Sequence, residues 1–152
     1  MLKLVETTSY NVGDLIVTVE GLNCSALSAV YPICSAMDLR TKARLKELAK
    51  DEELAALVMK SQGDDMNGLS PEEKFKVVSF MNAHSEDFSL QECSDLVCAF
   101  LDSIISVKQG EEDVTEEFKQ SVGDSPAYTR AIANICYTEY KAATEVPEIK
   151  KI

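Results

Sequence analysis

His84 is the only histidine in the 152-residue chain, and imidazole is the side chain best suited to move a proton near neutral pH. A catalytic histidine needs an orienting partner and usually a nucleophile. Ser85 and Glu86 adjoin it, but immediate sequence neighbours do not face one another on a helix. Its place just past an apolar stretch fits a residue that closes a helix. Cys93 and Cys98 are the next candidates, for a metal. Structural zinc takes two pairs of ligands, with the cysteines of a pair about two to four residues apart. Here one looser pair lies within a helical pattern, where a cysteine acts as a small apolar residue. The stretch Gly63-Asp64-Asp65-Met66-Asn67-Gly68 has the acids and glycine of a calcium loop. With Gly68 in the glycine position, however, the first and last ligands would be Gly63 and Lys74, and neither offers a side-chain oxygen. The glycines stand singly at element ends, so no phosphate-cradling loop is expected. No carboxylate spacing argues for an acid–base pair. The sequence therefore assigns no catalytic, cofactor-binding or metal-binding residue, and the expectation is a protein that is not an enzyme.

The elements around these residues change rhythm once. In residues 1–22, Lys3–Thr8 is β-prone, Asn11–Asp14 supplies turn residues, and Leu15–Glu20 alternates. Leu15, Val17 and Val19 share one face of that second strand. A hairpin with a loop longer than the tightest type is expected over residues 3–20, as the only β-structure. A short hairpin with two free edges invites pairing with another chain. Nearly everything after Asn23 reads as amphipathic helix. Pro32 should kink or restart the first helix. Asp38 can cap a segment Leu39–Lys50 with Leu45 and Leu48 inward, and Asp51-Glu52-Glu53 suits the start of the next helix. Ser70-Pro71-Glu72-Glu73 is a capping box with proline at the first helical position. Its helix is expected to turn Phe75, Val78 and Met81 inward. Ser89-Leu90-Gln91-Glu92 repeats the box. Leu90, Cys93, Val97, Phe100, Leu101, Ile104 and Ile105 then continue at helical spacing, as the expected central core helix. Glu111–Val122 reads as a short acidic helix, and Ser125-Pro126 opens a last one with Ile132, Ile135, Cys136 and Tyr140 on one side. The fold class expected is mainly α: a multi-helix bundle with a short N-terminal β-hairpin. Its parts are a hairpin over 1–22, a helical domain over 23–144 and a tail over 145–152.

Composition narrows the partners. Hydrophobic residues make up 45% of the chain, enough for a core. The net charge is −11, and a negative surface repels phosphate backbones. Residues 1–76 hold 12 acids and 9 bases, whereas residues 77–152 hold 14 acids and 6 bases. Arg40, Lys42, Arg44, Lys46 and Lys50 form one local basic cluster, read as a solvated helix face. Glu111, Glu112 and Glu116 belong to an acidic stretch that is either a solvated face or a surface for a basic protein partner. No run of about 18 apolar residues occurs, and Met1–Tyr10 lacks the pattern of a secretory leader. Five cysteines, most of them within apolar helical patterns, fit free thiols in a reducing cytoplasm. Neither nucleic acid nor membrane is expected as a partner.

The layout is similar to that of the tail assembly chaperones of lambda-like long-tailed phages. The likeness is carried by Leu2-Lys3, Glu6, the turn near Asn11–Gly13, Val17-Thr18-Val19 and Leu27-Ser28-Ala29, over roughly the first 30 residues. Beyond these, only helical character and acidity match. The resemblance implies a non-enzymatic protein of the host cytoplasm that binds the tape measure and tail tube proteins during virion assembly. It also implies a longer form made by ribosomal frameshifting, for which Lys150-Lys151 could be written as a slippery run. The binding surface expected from the residues themselves comprises Leu15, Val17, Val19, Glu111, Glu112 and Glu116, with self-association as a further outcome. The alternative is a small acidic inhibitor that mimics nucleic acid and blocks a nucleic-acid-binding enzyme.

Overall fold

In the computed structural model, which describes residues 2–63, 66–85 and 87–152, the chain is mainly α with a small antiparallel sheet. It divides into two compact units. One comprises residues up to Cys34 together with Phe88–Ile152, and the other Ser35–Asp87.

The first unit is organised by the sheet. β1 (Thr7–Val12) and β2 (Leu15–Glu20) form the expected hairpin, in register from Thr7 opposite Glu20 to Val12 opposite Leu15. Asn11 and Val12 belong to the strand, so the loop is only Gly13-Asp14, tighter than the sequence suggested. Gly13 sits at φ +61°, as a glycine-first two-residue turn demands. β1 begins at Thr7, later than the β-prone residues from Lys3 implied.

The sheet does not stop at the hairpin. β3 (Ile104–Gln109) pairs with the far side of β2, and β4 (Glu112–Asp113) pairs with β3, in the order β1-β2-β3-β4. The long core helix expected through Ile105 is therefore corrected. α4 (Leu90–Phe100) ends in one 3₁₀ turn at Leu101–Ser103, and the chain becomes a strand. The cause is a β-bulge. Val17 faces Val107, Thr18 faces Ser106, and Val19 skips to Ile104, leaving Ile105 as the extra residue. The bulge puts Ile104 and Val107, three residues apart, on the same buried side. A strand thereby acquires the spacing of a helix. Gly110, expected to end that helix, instead takes φ +64° in the two-residue β3–β4 turn.

α5 is Thr115–Ser121, shorter than the Glu111–Val122 helix read from sequence, because Glu112 and Asp113 are used in β4. Buried Thr115 ties it down. Its Oγ1 donates to Asp113 Oδ1 at 2.6 Å and accepts from the Val107 amide at 2.8 Å. α6 (Pro126–Ala143) starts at the Ser125 cap with Pro126 in its first turn, as expected. Residues 145–152 have no helix or strand. The core of this unit gathers Val17, Val19, Leu96, Val97, Phe100, Ile104, Ile132 and Cys136. Leu90, expected inside, is half exposed at the first turn of α4, and the inward positions are Cys93, Leu96, Val97 and Phe100.

α1 (Cys24–Lys50) is one helix in which both Pro32 and Asp38 are interior residues. Pro32 has no N–H to give the Ser28 carbonyl, yet Val30, Cys34 and Met37 keep a buried helical spacing across it. Packing of that stripe outweighs one lost bond.

The second unit holds the rest of α1, α2 (Glu52–Gln62) and α3 (Pro71–Ala83). Asp51 caps α2 by accepting from the Leu54 amide, and Ser70 and Glu73 form the full capping box of α3. Leu57, Leu69 and Val77 make its apolar cluster, beside buried Val58 and Phe80. Two expectations change here. Val77 and Phe80 are the inward side of α3, while Phe75, Val78 and Met81 are exposed. Leu45 is exposed too, whereas Arg44, counted in a solvated basic face, is only 5% exposed. Its guanidinium lies 5.4 Å over the Phe80 ring and donates to the His84 carbonyl at 3.3 Å. Those contacts offset its desolvation.

Candidate protein-binding site

The six residues expected to bind a partner fall in two different environments. Leu15, Val17 and Val19 are buried in the first unit. Their strand β2 has a neighbour on each side, so neither its apolar face nor its edges are open. Among the described residues the hairpin retains one unpaired edge, that of β1. Glu111, Glu112 and Glu116 are all exposed, at the β3–β4 turn, on β4 and in the first turn of α5. Lys108 stands opposite Asp113 in the ladder. The Asp113 carboxyl is held below its ordinary range, chiefly by the Thr115 hydroxyl and then by the Thr115 amide. That part of the acidic stretch thus serves local structure.

An apolar surface missed by sequence reasoning lies on the second unit. Leu54, Leu57 and Phe75 line a groove of about 350 Å³ between α2 and α3. Asp51, Glu53, Lys76 and Ser79 complete its wall. The Lys76 ammonium lies 4.0 Å from Glu53 on an exposed rim, where an ion pair contributes little. Phe75 is 74% exposed and Met59 75% exposed, and Val78 and Met81 are open as well. α3 is therefore apolar on two sides, only one of which faces its own core. Single exposed apolar residues are ordinary, but Phe75, open beside Leu54 and Leu57 in the groove wall, makes an apolar patch there.

His84 closes α3, its amide donating to the Phe80 carbonyl at 2.9 Å and its ring centroid 5.0 Å from that of Phe80. Cys93 is buried and Cys98 exposed, so the two do not point to one site. Cys34 and Cys136 are also buried, and the Cys136 thiol is pushed up to about 12 by burial, then by Cys34 and Glu139. Among the described residues no group of three or more His, Cys, Asp or Glu could hold a metal ion. Asp64 and Asp65 of the calcium-like stretch lie outside the described residues.

One buried carboxylate was not signalled by any motif. Glu139 of α6 is 7% exposed and accepts from the Tyr10 hydroxyl of β1 at 2.6 Å. The phenol is pushed up to about 12 by its burial first and then by Glu139, so it remains a donor. Both residues line a cavity of about 470 Å³ with Leu4, Val5, Glu6 and Glu145. A lone Glu among the apolar positions of a helix is a signal in retrospect, since burial of such a group demands a partner.

Among the described residues no helix is long and apolar enough to cross a membrane. The sequence matches no protein-family model, no curated protein and no solved structure.

Proposed function

We propose that this chain is a phage tail assembly chaperone, a non-enzymatic protein of the host cytoplasm. It holds tape measure and tail tube proteins in solution until the tube assembles. The observation that carries the proposal is the open apolar groove of α2 and α3, with Phe75 74% exposed, on a chain of net charge −11. An amphipathic helix lays its apolar stripe into such a groove. The chaperone's charge keeps the complex dispersed. A hairpin followed by mostly helical, acidic sequence agrees with the layout of such chaperones.

The second reading, an acidic inhibitor that mimics nucleic acid, draws on the exposed Glu111, Glu112 and Glu116. The two readings separate on one experiment. The chain is co-expressed with a tape measure protein of a lambda-like long-tailed phage, and the soluble fraction is measured for the unaltered chain, Phe75→Glu, and a Glu111→Lys/Glu112→Lys/Glu116→Lys variant. The chaperone reading expects the tape measure protein to stay soluble with the unaltered and triple-lysine chains and to precipitate with Phe75→Glu. The mimic reading expects no effect on the tape measure protein. It expects instead a basic nuclease or helicase, bound with salt-sensitive affinity and released by the triple-lysine change.

A further inference from the structure

The open edge of β1 and the cavity beneath it form one surface. The Gly21 amide donates to the Glu6 carbonyl at 2.9 Å, which sets the alternation along the strand. Thr8, Tyr10 and Val12 turn their backbone groups toward β2, and Thr7, Ser9 and Asn11 turn theirs outward. All three outward residues are exposed, and among the described residues no strand pairs with β1 on that side. Thr8 and Tyr10 carry their side chains on the other alternation, and both line the cavity over α6 that also holds Glu139. A strand added to this edge would send alternate side chains into the same cavity.

The cavity has a definite charge. Glu6, Glu139 and Glu145 line it, and among the described residues no Lys, Arg or His does. Glu139 is more than nine-tenths buried. Among the described residues its one hydrogen-bond donor is Tyr10, and no cation pairs with it. A buried carboxylate without a cation is costly, and a cation brought by a ligand would relieve that cost. Leu4, Val5 and Leu22 supply apolar wall for an aliphatic stem.

The geometry points to a docking site for an extended segment of a partner protein, which pairs with the outer edge of β1 and inserts a Lys or Arg side chain beside Glu139. A second copy of this chain is the poorer occupant. Its β1, Thr7–Val12, has no basic residue, and its own Glu6 would meet an acidic wall. The site lies in the unit that does not contain the α2–α3 groove, and the inference does not rest on the chaperone reading.

The test uses the full isotope-labelled chain and a peptide of about nine alternating Thr and Val residues, an ordinary strand length, with one central Lys. The control peptide carries norleucine in place of that Lys. The expected result has two parts. Amide exchange slows at Thr7, Ser9 and Asn11, and the Lys peptide binds at least about tenfold more tightly than the control, or about 1.4 kcal/mol. Glu139→Gln should abolish the preference. If that variant does not fold, the two peptides on the unaltered chain decide. Equal affinity for the two peptides, or protection confined to other residues, would overturn the inference. So would a Kd above about 1 mM for the Lys peptide, or a homodimer joined through β1.

Discussion

Removing the Tyr10 hydroxyl isolates the contact that joins β1 to α6. Tyr10→Phe keeps the ring and deletes the 2.6 Å bond to Glu139, a residue 7% exposed. A hydrogen bond to a charged group contributes about 1.5–3 kcal/mol. Glu139 lines an open cavity, so water can recover part of that, and the expected loss is about 1–2 kcal/mol. The measurement is urea unfolding at pH 7 followed by circular dichroism, with amide exchange of β1 and β2 as a local readout. The pH dependence gives a second, independent check. Burial and Glu139 raise the Tyr10 phenol to about 12, so folding favours the protonated form. That contribution is complete below the ordinary phenol value near 10 and is lost as pH rises from about 10 to about 12. Tyr10→Phe should lack that part of the alkaline loss. In a double-mutant cycle with Glu139→Gln, the coupling should be at least about 0.5 kcal/mol, as for residues in contact. A loss at pH 7 below about 0.5 kcal/mol, the scatter of ordinary surface changes, together with an unchanged alkaline limb, would refute the pairing.

Three further perturbations probe separate parts of the fold. Phe100 is fully buried at the end of α4, so Phe100→Ala should cost about 3–5 kcal/mol in urea unfolding; a loss under about 1 kcal/mol would mean that this residue is not core. Gly13 takes φ +61°, and a Cβ there would lie 3.2 Å from the Tyr128 hydroxyl, so Gly13→Ala should cost about 1–2 kcal/mol, and a neutral result would contradict the tight turn. An aromatic disulfide reagent should modify exposed Cys24 and Cys98 rapidly in the native chain, and buried Cys34, Cys93 and Cys136 only on unfolding; fast reaction of all five would contradict that burial.

Local signals in the sequence located the helix starts well. Ser70 with Glu73 and Ser89 with Glu92 both form complete capping boxes, because each is a contact among four consecutive residues. The hairpin was legible for the same reason, through the alternation of Leu15–Glu20. What failed were features that depend on distant partners. Ile104 and Val107 have helical spacing only because Ile105 bulges out of the ladder with β2, a strand some 85 residues earlier in the chain. α3 carries apolar residues on two sides, and periodicity cannot tell which side meets Leu57 and Leu69. The side left over carries exposed Phe75, Val78 and Met81, and of these Phe75 lines the groove with α2. Arg44 is hidden by Phe80 and the end of α3, a long-range contact that composition cannot announce. The expected binding face of Leu15, Val17 and Val19 rested on an exposed hairpin, and β3 occupies the edge that seemed free.

The binding of a tape measure helix to the α2–α3 groove is the most direct measurement of the proposed role. Purified chain and Phe75→Glu are titrated by calorimetry with an amphipathic helical segment of a tape measure protein from a lambda-like long-tailed phage. Phe75 is 74% exposed in the free chain, and its burial in the complex is worth about 1.5–3 kcal/mol, so the substitution should weaken binding about 10- to 100-fold. It should leave unfolding by urea within about 0.5 kcal/mol of the unaltered chain. Equal affinity for the two chains, or no binding by either, would contradict a chaperone that works through this groove.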